Sequence, residues 1–141
     1  MKQGPIVIVD DDEDDILILK EIFADLGVRN KVQWFATCPA AFDYLLQTAE
    51  QPFLILSDVN LPGQDGISFK QDIDNNQVLR NKSIPFIFYS TYVDQRVVTK
   101  AYTEMTVQGF FKKGNSYEKV RSDVKLIIDY WMSCRHPNNK E

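Results

Sequence analysis

Four apolar runs in this chain each end on side chains able to do chemistry. PIVIV (5–9) is followed by Asp10, Asp11, Asp12, Glu13, Asp14 and Asp15. PFLILS leads into Asp58, IPFIFY into Ser90 and Thr91, and VQGFF into Lys112 and Lys113. Two or three carboxylates brought within a few ångströms repel one another, and some shift toward protonation unless a cation compensates them. Hard oxygen ligands with room left for water and phosphate oxygens suit Mg²⁺, with Mn²⁺ possible. Such a metal bridges a carboxylate and an incoming phosphoryl group. A lysine adds a second positive charge, and a Ser or Thr hydroxyl donates a hydrogen bond to a phosphoryl oxygen. The chemistry these groups point to is in-line transfer of a phosphoryl group to a carboxylate nucleophile.

Taken singly, each residue has a plainer account. Asp12 to Asp15 suit the positive end of a helix, and for these acids that is the better reading. Asp58 alone could cap a turn, Ser90 and Thr91 could simply end a strand, and Lys113 could be a solvated charge. Their coincidence at four separate strand ends is what makes them a site. The choices between Ser90 and Thr91, and between Lys112 and Lys113, stay open on residue type. Successive strand side chains point to opposite faces, so one residue of each pair faces the site.

These groups meet only if the runs lie side by side in one sheet, and the rest of the chain supports that arrangement. Residues 5–9, 31–36, 52–58, 84–91 and 107–113 read as strands. Between and after them come segments of helical period. The first covers Asp14 to Leu26 and stops at Gly27. The second opens at Thr37 with Pro39 in its first turn and runs to Ala49. A weaker one covers Ile67 to about Asn76, and another covers 94–105. The clearest runs from about Ser116 to Cys134, with Val120, Val124, Ile127, Ile128 and Trp131 on one stripe. NNQVLRNKS reads as polar connection, and the tail HPNNKE is expected to fray. Five strands alternating with helices argue for a parallel sheet covered on both faces. In open sheets of this kind ligands bind outside the carboxyl ends of the strands, where the four groups lie.

Composition narrows the function classes. The 141 residues are 44% hydrophobic and 26% charged, with a formal net charge of −4. That suits one globular domain and offers no basic stripe for nucleic acid. Cys38 and Cys134 lie far apart, and His136 is the single histidine, so neither a zinc site nor a disulfide framework is suggested. No signal peptide or membrane span is visible. The expectation is a reduced, cytoplasmic protein, a monomer or weak dimer.

IVIVDDDEDD, LILSDVNLPGQDG, IPFIFYST and GFFKKG occur in the order and approximate spacing of the response-regulator receiver domain of the chemotaxis-regulator type. The resemblance covers essentially residues 5–134. It implies a flavodoxin-like, doubly wound (βα)5 fold with strand order 2-1-3-4-5, and a single receiver domain over 1–141. It implies that Asp58 is the phosphoacceptor, attacking a phosphohistidine presented by a histidine kinase or a histidine phosphotransfer protein. Asp10 and Asp11 resemble the acidic pair that holds Mg²⁺ with Asp58 and the backbone carbonyl of Asn60, Asp11 directly and Asp10 mainly through water. Ser90 resembles the hydroxyl residue that moves to the phosphoryl group, Lys113 the lysine that pairs with it, and Phe110 the aromatic that swings inward. Asn60 and Tyr92 match positions that tune water's access to the acyl phosphate, and a bulky Tyr92 would shield the bond.

Two positions depart from the family pattern. Gly114 stands where proline usually follows the lysine, so a trans bond and a differently shaped loop are expected, since a non-proline cis bond costs ~2.5–4 kcal/mol. Thr91 stands where alanine is more usual. The resemblance further implies a signalling switch with slow autodephosphorylation rather than a turnover enzyme, read out by contact with an unidentified downstream protein. A degenerate receiver acting without phosphorylation is one alternative. A haloacid-dehalogenase-like phosphatase is another, but it would want its paired acids after the first strand and a cap domain.

Overall fold

The computed structural model describes residues 2–91 and 93–137. Five strands, β1 (Ile6–Val9), β2 (Val32–Phe35), β3 (Leu54–Ser57), β4 (Phe86–Ser90) and β5 (Gly109–Lys112), form one sheet in the order β2-β1-β3-β4-β5. Every pairing is parallel. Six helices complete the fold: α1 (Glu13–Asp25), α2 (Cys38–Gln47), α3 (Gly66–Asn75), α4 (Gln77–Lys82), α5 (Gln95–Glu104) and α6 (Tyr117–Ser133).

The strands are apolar because both of their faces are covered. Val7, Val9, Ile55, Phe86 and Phe88 face one layer, packed against Cys38, Ala41 and Leu45 of α2, Phe69 and Ile73 of α3, Leu79 of α4 and Ala101 of α5. Their neighbours Ile6, Ile8, Leu54, Leu56, Ile87 and Tyr89 face the other, against Leu19, Ile22 and Phe23 of α1 and Val124, Ile127 and Ile128 of α6. The two-residue period of a strand thus divides one short run between two cores. Because all five strands run the same way, their carboxyl ends share one edge.

Side-chain caps start the helices. Asp12 accepts from the backbone N–H of Asp14 and Asp15, Thr37 from Ala40, Asp65 from Ser68, and Ser116 from Lys119. Each satisfies amide groups that the first turn leaves without an intrahelical partner.

Two sequence expectations need correction. The stretch 75–83, read as polar connection, contains α4. Asn76 caps it through the N–H of Leu79, Leu79 is buried beneath it, and Ser83 ends it at φ +50°. The Lys82 ammonium donates to the carbonyl oxygens of Leu45 and Thr48, which ties this short helix to the end of α2. One buried leucine in six residues leaves no periodic signal. The tail, expected to fray, is anchored as far as His136; residues 138–141 lie outside the described residues. The His136 ring is buried and stacked on Phe53, with centroids 5.8 Å apart, and its Nε2 lies 2.7 Å from the Phe53 carbonyl oxygen. A carbonyl only accepts, so Nε2 carries the proton in this contact.

Burial lowers the His136 pKa from its ordinary 6.5 by more than the Phe53 carbonyl raises it. The unfolded chain therefore takes up a proton near pH 6.5 that the folded chain refuses. The stability contributed by this group is full above that value and is lost as pH falls through the lowered folded value. Thermal unfolding followed from about pH 7.5 to about pH 5.5 should show a falling midpoint, with a shallower fall in a His136→Leu variant. Identical slopes in the two proteins would sink this account of the tail.

Candidate functional site

Four strand ends and the first helix build one polar cluster at the carboxyl edge of the sheet. The Asp10 amide donates to the Phe35 carbonyl and the Asp58 amide to the Val9 carbonyl, so the parallel ladders deliver both acids to adjacent places. At the end of β4, Ser90 is buried and Thr91 exposed. The Lys113 amide donates to the Ser90 carbonyl, one step past the register in which Ser90 sits beside Lys112. Pleating then sends the two lysines opposite ways: Lys112 is exposed, and the Lys113 side chain is 6% exposed.

Asp58 is held on both oxygens. Its Oδ1 accepts from the Val59 N–H at 2.7 Å, the Asn60 N–H at 3.3 Å and the Ser90 hydroxyl at 2.7 Å. Its Oδ2 accepts from the Lys113 ammonium at 3.1 Å. The same ammonium donates to Asp10 Oδ2 at 2.6 Å and to Asp15 Oδ2 at 2.8 Å. Asp10 Oδ1 accepts from the Asp12 N–H, which turns the loop outward so that Asp11 is exposed.

The β3–α3 loop closes tightly under Asp58. The Gly66 N–H donates to the Val59 carbonyl at 2.7 Å, and a Cβ at position 66 would lie 2.2 Å from the Asp58 carbonyl oxygen. Only glycine lets α3 begin there. The Cys38 thiol, pushed up to about 12 by burial and by the nearby acids Asp65 and Asp72, donates to the Gln64 carbonyl and pins the same loop. After β5 the chain turns at Gly114 with no cis bond among the described residues, and a Cβ there would lie 2.3 Å from Lys119 Cγ. The loop thus passes closer to α6 than a residue with a side chain would permit.

Three carboxylates, those of Asp10, Asp15 and Asp58, hold one ammonium, and a fourth, that of exposed Asp11, lies close to Asp10 and Asp58. Burial raises the Asp10 pKa above the ordinary carboxylate value, outweighing its hydrogen bonds from Lys113 and Asp12. Burial by itself would lower the Lys113 pKa, but Asp10, Asp15 and Asp58 outweigh it and hold the ammonium charged. Oxygen atoms of Asp10, Asp11 and Asp58 all lie within 4.8 Å of one another, with burial graded from Asp10 outward to Asp11. An all-oxygen set with uncompensated negative charge and an open side fits a hard divalent cation.

Sequence reasoning and structure differ at Asp15. Its place in an acidic run suggested only a favourable charge at a helix start. It is that, but the helical turn also brings its carboxylate to Lys113, a contact across 98 positions of sequence that local pattern does not signal. The structure does not bring Phe110 into the cluster. Its ring lies half-buried against Phe88, its cross-strand neighbour, with centroids 5.2 Å apart. Asn60 is exposed at the rim, and Tyr92 lies outside the described residues.

Comparison with known proteins agrees with this geometry. The family model "Response regulator receiver domain" matches residues 6–125. The chain is 27% identical over 131 residues to the "Probable methanogenesis regulatory protein FilR2" of Methanothrix harundinacea, covering 90% of this chain and 83% of that protein. It is 26% identical to response regulator Rcp1 of a Synechocystis species, over 90% of this chain and 88% of that one. The crystal structure of the Mn²⁺-bound form of Rcp1 superposes with a TM-score of 0.82 over 94% of this chain and 98% of that one, at 24% identity. The phosphorylated cyanobacterial phytochrome response regulator RcpA superposes at 0.85 with 28% identity, covering 95% of this chain and 98% of that one. Among the described residues no helix is long and apolar enough to cross a membrane.

A cation binding the folded site but not the unfolded chain stabilises the fold by mass action, by about 2.7 kcal/mol at roughly a hundred times its Kd. Millimolar Mg²⁺ should therefore raise the calorimetric unfolding midpoint of the wild type and leave an Asp11→Asn variant nearly unmoved. Equal shifts in both would place the cation elsewhere.

Proposed function

The chain belongs to the response regulator receiver family, signalling proteins rather than turnover enzymes, and on that premise we propose that it is a phosphoacceptor switch whose nucleophile is Asp58. One observation carries the reading above the others: Asp58 has the buried Ser90 hydroxyl on one carboxylate oxygen and the Lys113 ammonium, on a side chain 6% exposed, on the other, at the mouth of an acidic cluster.

The donor is a phosphohistidine, presented by a histidine kinase or a histidine phosphotransfer protein. Asp58 Oδ1 is tied by three donors, whereas Oδ2 has the Lys113 ammonium as its partner among the described residues. Oδ2 is therefore the oxygen with electron density to spare. It attacks phosphorus, an O–P bond forms, the P–N bond to the donor imidazole breaks, and an acyl phosphate results. Lys113 turns from Oδ2 toward a phosphoryl oxygen, where a charged donor is worth roughly twice a neutral one. Asp10, Asp11 and Asp58, with the Asn60 backbone carbonyl, would hold Mg²⁺ or Mn²⁺. Bound there, the cation would neutralise charge on the phosphoryl oxygens. The Mn²⁺-bound form of Rcp1 supports a divalent ion in this role.

The switch follows from the Ser90 hydroxyl. It now donates to Asp58 Oδ1, and after transfer it moves to a phosphoryl oxygen, drawing the segment after β4 inward. Phe110 of β5, whose ring lies tilted against that of Phe88 on β4, is the side chain placed to follow. The surface formed by α5, β5 and α6 then changes, and a protein that prefers one arrangement reads the state through its differential affinity. Tyr92, two residues beyond Ser90, would shield the acyl phosphate from water. Phosphohistidine donors of this kind place the work in the cytoplasm.

Incubation of the whole chain with acetyl phosphate and Mg²⁺ should add one phosphoryl group per chain, detected by intact mass. Asp58→Asn should take none, and chelation of the metal should slow the wild type by at least about tenfold. A labelled Asp58→Asn protein would remove the central assignment.

A further inference from the structure

We propose that Asp15 is a positioning residue for Lys113, a second anchor that aims the ammonium at Asp58. The inference rests on the phosphoacceptor reading for its consequence, but not for its geometry.

A lysine ammonium carries three N–H donors on a flexible four-carbon stem, so nothing in the side chain itself fixes where each donor points. Here all three are assigned. Asp10 takes one at 2.6 Å, Asp15 one at 2.8 Å and Asp58 one at 3.1 Å. The two shorter contacts come from groups that stay carboxylates throughout phosphoryl transfer. The longest goes to the oxygen whose electrons are taken by the new O–P bond. That is the donor released when a phosphoryl oxygen arrives, while the other two keep the nitrogen in place.

The two anchors differ in how they are held. Asp10 ends a buried strand. Asp15 stands in the first turn of α1, and its amide donates to Asp12, the residue that caps this helix. Its carboxylate position is therefore set by α1, which packs on the sheet through Leu19, Ile22 and Phe23. At the other end of the lysine the backbone turns at once past Gly114 into the approach to α6. Strand geometry fixes the Lys113 Cα, and the two carboxylates fix its nitrogen. The Asp15 side chain is 29% exposed, and without it the Lys113 ammonium keeps Asp10 and Asp58 as charged partners. The consequence lies in direction rather than in folding.

The charge of Asp15 has an opposite tendency, since one more carboxylate repels an anionic donor. Asparagine keeps an acceptor oxygen at the same place without the charge, and so separates the two effects. In full-length protein with constant Mg²⁺, the rate of labelling by acetyl phosphate should fall about tenfold at saturating donor in Asp15→Ala, with the half-saturating concentration no higher than in the wild type. Asp15→Asn should stay within about threefold of the wild type, and Asp15→Ala should have no further effect in a Lys113→Ala background. Three results would overturn the proposal: Asp15→Ala labelling as fast as the wild type or faster, Asp15→Asn as slow as Asp15→Ala, or the same loss without Lys113. The lysine ¹⁵Nζ spectrum gives a readout free of phosphorylation. A slowly exchanging ammonium signal, absent in Lys113→Ala, should be present in the wild type and broadened in Asp15→Ala. A signal unchanged in Asp15→Ala contradicts the anchor. Should the wild type take no label at all, the phosphoacceptor reading fails by itself and the ammonium spectrum still decides the role of Asp15.

Discussion

A buried ammonium shared among three carboxylates is the interaction on which the rest of this molecule turns. Lys113 comes from the far end of the chain, Asp10 and Asp15 from its beginning and Asp58 from between, so the contact forms only when β1, β3, β4 and β5 are in register. Charges out of water cost stability unless they are paired and hydrogen-bonded. The excess of acid over base makes that pairing incomplete. A site of this kind is poised: its resting state has more negative charge than one lysine can balance, and any event that supplies positive charge or redistributes negative charge there has a large local effect. A fold dedicated only to stability would not collect these groups on one edge.

The rest of the architecture confines that effect and gives it a way out. Parallel strands bring every carboxyl end to the same edge, and the two apolar layers hold the strands rigidly beneath it. Gly66 lets α3 start against the Asp58 backbone, so the acceptor sits on a closed turn rather than a free loop. The Ser90 hydroxyl is at once part of the site and the last residue of β4, next to the Phe88–Phe110 ring pair that leads toward the surface. A single charged hydrogen bond is worth about 1.5–3 kcal/mol. Converting a two-state equilibrium from mostly one form to mostly the other takes about 5.5 kcal/mol. Ser90 and Lys113 must therefore exchange partners together, and their joint contact with Asp58 is the geometry that couples them.

Sequence and structure agree most closely where side chains repeat with a period. The five strands and five long helices were legible because short β-branched runs and helical stripes are local signals. Asp10, Asp11, Asp58, Ser90 and Lys113 were legible as a group because a parallel sheet turns "last residue of an apolar run" into a spatial address. The choices between Ser90 and Thr91 and between Lys112 and Lys113 needed the backbone, since a strand's pleat decides which neighbour points inward. α4 escaped notice because one buried leucine and an asparagine cap carry no period. Asp15 and His136 were read too plainly for a related reason: each is defined by a partner far away in sequence, Lys113 in one case and the Phe53 carbonyl in the other. Long-range polar contacts of single residues leave no trace in local pattern.

The claim that ties these observations together is chemical, and it concerns one atom group. Reduction of the phosphorylated chain with borohydride cleaves an acyl phosphate and leaves a mass change at the residue that carried it, which peptide mapping then locates. The account predicts that the change falls on position 58 alone. A change at position 10, 11 or 15, or phosphate that survives reduction as an ester on Ser90, would contradict it.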